Sequence, residues 1–214
     1  PIGVFCLLLP VVVTNGPKVL LPLLSVIACM AIGCVIHAVC VYSALSGISA
    51  HMSPITFFRG MSEAMAIAFT TCSSAGSLPV NMKNIQEKLG VKREIASFVL
   101  PLGATINMDG TALYMGVCSI FIANVFGIPL TFDQMMMIVL TGTLASIGTA
   151  GVPGAGLIML AMVLQSVGLP MEGLALVAGI DRVLDMFRTC LNITGDAAVA
   201  ISVNATEKDT EQMV

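Results

Sequence analysis

The sequence has little charge. Asp, Glu, Lys and Arg make up 10% of its 214 residues, whereas a soluble globular domain carries about 25% charged residues. Hydrophobic residues account for 57%, and the mean hydropathy is +1.00. Such a chain lacks the charge to cover a water-exposed surface, so the composition predicts an integral membrane protein. The apolar excess and the net charge of −3 exclude a disordered chain, collagen, a coiled coil and a nucleic-acid-binding protein.

Histidine and paired cysteines are also scarce. The chain has two histidines, and none of its seven cysteines forms a CxxC pair, which argues against a histidine- or cysteine-based metal site. No nucleophile–base pair stands out, so we expect a protein that is not an enzyme. The sequence begins with an apolar stretch and no initiator methionine, which predicts a fragment that starts inside a membrane region.

Long apolar runs are abundant. Residues 1–14 include a stretch too short to cross a bilayer, which takes about 20 residues, whereas 17–50 predicts a transmembrane helix. Residues 54–83 and 132–167 each consist of two short apolar arms around a centre rich in Ser, Thr and Gly. This arrangement predicts two re-entrant helical hairpins. A polar loop outside the membrane is the alternative for the first of them.

The segments that follow the hairpins carry polar groups at membrane depth. Residues 95–126 are interrupted at 107–111, so we expect a broken transmembrane helix there. Residues 173–202 predict a polar-striped helix, in which positions 181, 185, 188, 192 and 196 fall within an arc of roughly 80°. Charges inside a bilayer are costly, so this stripe should face the protein interior.

The charged ends of the chain indicate its orientation. Residues 83–94 contain four basic residues, and the bias of Lys and Arg toward cytoplasmic loops predicts that this stretch faces the cytoplasm. The polar tail at 203–214 is predicted to be disordered. Two corresponding glycine-interrupted segments are typical of a secondary transporter built from inverted repeats. Asp109 and Asp196 are then candidate cation ligands, because sodium prefers carboxylate and carbonyl oxygens.

Three motifs in order resemble the dicarboxylate/amino acid:cation symporter family, which includes the glutamate and neutral amino acid transporters. They are NMDGT at 107–111, GVPGAG at 151–156 and DRVLDMFRTCLN at 181–192. The resemblance covers essentially the whole chain. It implies an all-α, multi-pass protein of the cell (inner) membrane, with two re-entrant hairpins in an elevator-type transport domain. It also implies a homotrimer, with 1–14 as the end of a scaffold helix and the chain as the C-terminal half.

The resemblance also implies the substrate ligands. Arg188 would pair with the side-chain carboxylate of the substrate, as a planar guanidinium does well, and Asp185 would hold its amino group. A structural ion pair within one helix is the alternative for these two residues. The remaining contacts would come from the side chains of Thr111, Thr189 and Asn192 and from backbone amides near Ser73, Ser74, Val152 and Gly156.

The same resemblance implies three sodium sites. One would lie among Asp196 and the carbonyls of Gly103, Asn107 and Asn192. A second would use the carbonyls of Thr105, Ser146, Ile147 and Thr149, with Met108 nearby. A third would use Asp109 and the side chain of Asn107, with its other ligands outside this chain.

The leading hypothesis is a sodium-coupled symporter of acidic amino acids, glutamate or aspartate. A proton- or sodium-coupled C4-dicarboxylate carrier would leave Asp185 buried without a partner. A neutral amino acid carrier would leave Arg188 without its carboxylate. An ion channel is the alternative of another class, because polar re-entrant loops also build selectivity filters.

Overall fold

The computed structural model describes residues 5–6, 9–10, 13, 16 and 20–213. The scaffold-helix end predicted for 1–14 therefore lies largely outside the described residues. None of the described residues is in a β-strand, and the prediction of an all-α protein is confirmed for them. In chain order the helices are α1 Leu20–His37, α2 Pro54–Thr71, α3 Ser74–Glu87, α4 Arg93–Ile106, α5 Asp109–Val125, α6 Phe132–Ile147, α7 Ala155–Ser166, α8 Gly173–Ala178 and α9 Asp181–Met213.

Two helical stretches in the described part are long and apolar enough to cross a membrane, Leu21–Ser49 and Arg93–Val125. The first consists of α1 and two π-helical turns, Ala38–Tyr42 and Leu45–Ser49. A π turn inserts an extra residue and changes the direction of the side chains that follow. Tyr42, at the end of the first π turn, is 1% exposed.

Hairpin 1 consists of α2 and α3, with its tip at Cys72 and Ser73. Helix α2 begins with Pro54, which suits the first helical position. It ends at Cys72, whose φ of 54° reverses the chain. Ser73 caps α3, because its hydroxyl accepts a hydrogen bond from the Gly76 amide at 3.0 Å. The two arms have 18 and 14 residues.

Hairpin 2 consists of α6 and α7. Helix α6 begins with a capping box in which Thr131 and Gln134 exchange side-chain and backbone hydrogen bonds. The chain leaves helical geometry after Ile147, and Gly154 has a φ of 79° before α7 begins. A positive φ favours glycine, so this residue allows the turn into α7.

The two segments after the hairpins are both interrupted. Helices α4 and α5 are separated by Asn107 and Met108, at the interruption that the sequence predicted. The helix predicted for 173–202 is two helices instead, α8 and α9, with Gly179 and Ile180 between them. At this boundary the backbone hydrogen bonds span three residues, from the Ile180 amide to the Val177 carbonyl and from the Val183 amide to the Ile180 carbonyl, both at 3.0 Å.

The end of the chain differs from the prediction of a disordered tail at 203–214. Helix α9 continues to Met213. No glycine or proline follows Gly195, and good helix formers such as Ala205 and Glu207 continue the sequence. The polar character of the tail indicated exposure, but composition alone did not locate the helix end.

Helix α9 occupies the centre of the bundle, where it contacts α1, α2, α3, α4, α5 and α8. Its polar stripe is buried as predicted: Asp185, Arg188, Asn192 and Asp196 are 2–3% exposed. The surface is apolar instead, with exposed Ile36 on α1, Phe98 on α4, and Phe132 on α6. An inside-out distribution of this kind fits a bilayer surrounding.

Candidate functional site

A small cavity lies where the tips of both hairpins meet the α4–α5 break and α9. Its free volume is about 10 Å³, the size of a single water molecule. Ten predicted ligands line it: Ser74, Met108, Thr111, Thr149, Val152, Gly156, Asp185, Arg188, Thr189 and Asn192. Cys72, Ala150 and Gly151 complete the lining.

An ion pair on α9 forms one wall of the cavity. Arg188 Nη2 lies 2.8 Å from Asp185 Oδ1, and Arg188 Nε donates to the same oxygen at 3.1 Å. Thr189 donates its hydroxyl to that oxygen at 2.9 Å. The Gly154 amide donates to Asp185 Oδ2 at 3.0 Å. Asp185 thus ties hairpin 2 to α9.

One end of the Arg188 guanidinium remains available for a ligand. Its Nη1 is buried without a hydrogen-bond partner and lies 3.9 Å from Asp181 Oδ1. The guanidinium carbon sits 4.6 Å from the centre of the Tyr114 ring, a cation–π arrangement. A Cβ added at Gly156 would overlap Nη1, so glycine lets the hairpin 2 backbone approach the charge.

Asn192 links α9 to the α4–α5 break. The Gly110 amide donates to its Oδ1 at 2.8 Å. Its Nδ2 donates to Thr111 Oγ1 at 3.3 Å and to Met108 Sδ at 3.0 Å. Gly110 itself packs against the Arg188 backbone, where a Cβ would meet the carbonyl oxygen at 2.5 Å. The break and α9 therefore form one rigid wall.

The two hairpin tips are hydrogen-bonded to each other. The Gly151 carbonyl accepts from the Ser73 hydroxyl at 3.0 Å and from the Ala75 amide at 3.2 Å. Ser73 therefore faces the other hairpin and does not line the cavity, whereas Ser74 lines it.

A second polar region lies behind the cavity, around Asp109 and Asp196. Asn107 Nδ2 donates to Asp196 Oδ1 at 2.9 Å. The Tyr42 hydroxyl donates to Asp109 Oδ2 at 2.9 Å, and His37 Nε2 lies 3.3 Å from that oxygen. In the described part of the chain, neither carboxylate pairs with Lys or Arg.

Glycines let the backbone approach these carboxylates. A Cβ at Gly103 would lie 2.5 Å from Asp196 Oδ1. A Cβ at Gly195 would lie 2.7 Å from both the Asn107 amide and the Tyr42 hydroxyl. The arrangement thus brings Gly103, Asn107 and Asp196 together, and Asp109 beside them.

The four residues whose carbonyls were predicted to form the second sodium site lie less close together than the residues around Asp196. Ser146 and Thr149 are buried, and the Thr149 amide donates to the Ser146 carbonyl at 3.1 Å. Thr105 and Ile147 are exposed and do not line the cavity. The ends of α4 and α6 nevertheless approach each other through the hairpin 2 tip, because a Cβ at Gly151 would lie 3.0 Å from the Ala104 carbonyl.

The sequence matches a known protein family. The model of the sodium:dicarboxylate symporter family matches residues 1–206. The chain belongs to this family. The resemblance read from the three motifs is thereby confirmed. Membership in a family of membrane transporters agrees with the expectation that the chain is no enzyme and with its two candidate spans.

Curated relatives in the sodium:dicarboxylate symporter family are named excitatory amino acid transporters. Excitatory amino acid transporter 5 of Mus musculus is 46% identical over 181 residues, 84% of this chain and 32% of the relative. A Caenorhabditis elegans transporter is 40% identical over 203 residues, 92% and 40% of the two chains. Human excitatory amino acid transporter 2 is 38% identical over 215 residues, 98% and 38%. The chain thus spans well under half the length of these relatives.

Several residues of this site were not predicted from the sequence. Tyr42 and Tyr114 are the chain's two tyrosines, and each touches one of the two polar regions. The hydroxyl of a tyrosine buried in an apolar span usually forms a hydrogen bond. The two tyrosines could therefore have been predicted to lie beside polar groups. Cys72 and Gly151 also line the cavity. Their place there depends on the backbone conformation of the hairpin tips, which no residue pattern in the sequence indicated.

Proposed function

We propose that this chain is the substrate- and ion-binding portion of a sodium-coupled symporter of acidic amino acids, glutamate or aspartate. The observation that carries the proposal is the buried Asp185–Arg188 pair at a cavity closed by both hairpin tips. A zwitterion with an additional carboxylate offers groups of both signs to such a pair. The names of the relatives support the same substrate class.

Arg188 would bind the side-chain carboxylate of the substrate. Its Nη1 has a free donor pointing toward Gly156, and a charged hydrogen bond in a buried site is about twice as strong as a neutral one. Asp185 would accept the amino group of the substrate. Both roles require the existing pair to loosen, because the cavity of about 10 Å³ is smaller than an amino acid.

Thr111, Thr189 and Asn192 would add side-chain hydrogen bonds, since all three line the cavity. Backbone amides near Ser74, Val152 and Gly156 would close over the substrate. Ser73 would act through the hairpin contact with Gly151.

Sodium would balance the charge of Asp109 and Asp196. The described donors to them are the Tyr42 hydroxyl and the Asn107 amide, with the His37 imidazole 3.3 Å from Asp109. Asp196 is 2% exposed, and a buried carboxylate without a counter-charge is costly. Gly103 and Asn107 adjoin Asp196, which supports the first predicted sodium site with Asn192. Thr105, Ser146, Ile147, Thr149 and Met108 remain the ligands proposed for a second, and Asp109 with Asn107 for a third.

The mechanical part of the proposal is an elevator-type transport domain with hairpins 1 and 2 re-entrant in a cell (inner) membrane, in a homotrimer. Support comes from arms of 12–18 residues, all four shorter than the roughly 20 residues of a full crossing. The exposed apolar surface and the corresponding breaks in α4–α5 and α8–α9 agree with an inverted repeat in a bilayer.

Ligand binding to the purified chain tests the function directly. We expect calorimetric titration in sodium chloride to detect aspartate and glutamate, and titration in choline chloride to give a much weaker affinity. Arg188→Cys should weaken aspartate binding by about 100-fold, since two charge-assisted hydrogen bonds are lost. Arg59→Cys removes the same charge far from the cavity and serves as the control.

Other outcomes would favour the alternatives. Succinate binding as tightly as aspartate would indicate a C4-dicarboxylate carrier, in which Asp185 has no amino group to hold. Alanine binding as tightly as aspartate would indicate a neutral amino acid carrier. Equal aspartate affinity in sodium and choline would reject sodium coupling.

A further inference from the structure

A second polar opening lies on the face of α3 that points away from the substrate cavity. It is a groove of about 430 Å³ between α3 and the start of α4. Lys83 and Glu87 on α3 and Arg93 on α4 supply its charges, and Pro79 and Met82 form an apolar wall. None of these residues belongs to the two polar regions around α9.

The groove has an excess of positive charge. Lys83 and Arg93 are exposed, and neither forms an ion pair in the part of the chain whose side chains the structure describes. Lys88, on the same helical segment, differs because its ammonium lies 2.8 Å from Glu63. Two cations therefore face one carboxylate, Glu87, across an open groove.

The start of α4 lies at the edge of the groove. Its N-cap residue is Lys92, and its first turn carries the exposed Glu94. The helix dipole favours a negative group at this end, and Glu94 supplies one, so the attraction for an added anion depends on Lys83 and Arg93.

An apolar surface leads away from the charged groove. Phe98 and Leu102, one turn apart on α4, are 70% and 45% exposed. They belong to the candidate membrane span Arg93–Val125. The groove thus lies at the border of that span, on the side that the basic stretch 83–94 predicts to be cytoplasmic.

We propose that this groove binds the headgroup of an anionic phospholipid. The phosphate lies between Lys83 and Arg93, and an acyl chain runs along Phe98 and Leu102. Basic pockets at the cytoplasmic side of membrane helices recognise anionic lipids in this way. A free phosphate would use the charges but not the apolar wall, so the combination favours a lipid.

Native mass spectrometry of the purified chain in detergent tests the proposal. The chain is titrated with phosphatidylglycerol and with phosphatidylcholine of identical acyl chains, and bound lipid is counted. We expect tighter binding of phosphatidylglycerol. Lys83→Gln and Arg93→Gln should each weaken it roughly fivefold, while Glu87→Gln should strengthen it. Lys88→Gln removes the same charge from a residue already paired and should change little.

Three results would overturn the proposal. Equal retention of the two lipids by the unchanged chain would remove the preference for an anionic headgroup. A loss in Lys88→Gln as large as in Lys83→Gln would indicate general charge attraction. Inorganic phosphate that displaces phosphatidylglycerol at equal concentration would indicate an anion site without a lipid contribution.

Discussion

The two polar regions along α9 contain buried carboxylates but neutralise them differently. At the cavity, Asp185 contacts the guanidinium of Arg188 at 2.8 Å. Behind it, Asp196 accepts from the neutral amide of Asn107, and Asp109 accepts from the Tyr42 hydroxyl. The first region carries its own counter-charge. Among the described residues, the second has no Lys or Arg paired with its carboxylates, and the imidazole of His37 lies near one of them.

In the function proposed above, this difference would let α9 serve two kinds of ligand. The first region would exchange an internal partner for a substrate group of the same sign, so that binding replaces one ion pair with another. The second region would gain a counter-charge when a cation enters it. Asn192 and Met108 lie between the two regions and contact each other at 3.0 Å, so occupancy of one region should influence the other.

The largest effect is expected from breaking the internal ion pair. Arg188→Met leaves the Asp185 carboxylate buried without a counter-charge, which should destabilise the chain by about 3–5 kcal/mol. Thermal or chemical unfolding in detergent measures the loss. The double variant Asp185→Asn with Arg188→Met should recover much of that stability without regaining aspartate binding. Equal instability of the single and double variants would contradict the comparison.

A smaller effect is expected at the second region, with a sign that depends on the salt. Asp196→Asn removes a buried carboxylate, so the variant should be at least as stable as the parent in choline chloride. In sodium chloride the parent should gain stability that the variant lacks, about 2.7 kcal/mol when sodium is at 100 times its dissociation constant. Melting temperatures in the two salts measure this.

Asp133→Asn is the matched control for that experiment, because Asp133 is exposed at the start of α6. It should shift the melting temperature equally in both salts. If Asp196→Asn still gains stability in sodium chloride, sodium binds at a site that does not include Asp196.

Tyr42→Phe should cost less stability than Arg188→Met. It removes the donor to Asp109 at 2.9 Å and to the Leu191 carbonyl at 3.1 Å. Hydrogen bonds to charged groups contribute about 1.5–3 kcal/mol, and unfolding experiments would measure the loss. In an Asp109→Asn background the same substitution should cost less. An identical cost in both backgrounds would show that the hydroxyl does not support the charge of Asp109.

The smallest change in stability is expected at Gly156. The Cβ of alanine would displace Nη1 of Arg188, and if the guanidinium shifts while it stays paired with Asp185, stability should fall by less than about 1 kcal/mol. Aspartate affinity should nevertheless fall roughly tenfold, because the guanidinium leaves its position. Gly148→Ala, in the same hairpin, meets nothing within 4 Å and should alter neither quantity. Unchanged aspartate affinity in Gly156→Ala would show that the contact between hairpin 2 and Arg188 does not contribute to binding.

Much of this arrangement could be predicted from the sequence. The polar stripe on α9 was visible from helical spacing, because Asp185, Arg188, Asn192 and Asp196 recur at three- and four-residue intervals. The interruption at Asn107 and Met108 was visible because polar residues break an apolar run. Both features depend on local chemistry, which a single sequence contains.

Other features depended on contacts that spacing does not contain. The π-helical turns that bring Tyr42 to Asp109 join residues 67 positions apart. The separation of α8 from α9 and the continuation of α9 to Met213 depend on small differences in helix propensity. The left-handed backbone of Cys72 follows from the hairpin as a whole, since cysteine itself does not favour that conformation.

The Gly151 carbonyl also has a kinetic consequence. It holds two donors of hairpin 1 at once, the Ser73 hydroxyl and the Ala75 amide. Separation of the tips breaks both bonds in a single event, at a cost of about 1–3 kcal/mol. That cost corresponds to a roughly 5- to 150-fold longer dwell time in the closed arrangement. If a substrate binds there as proposed, it would be released in rare, discrete openings, and the waiting time between them would set the rate of exchange.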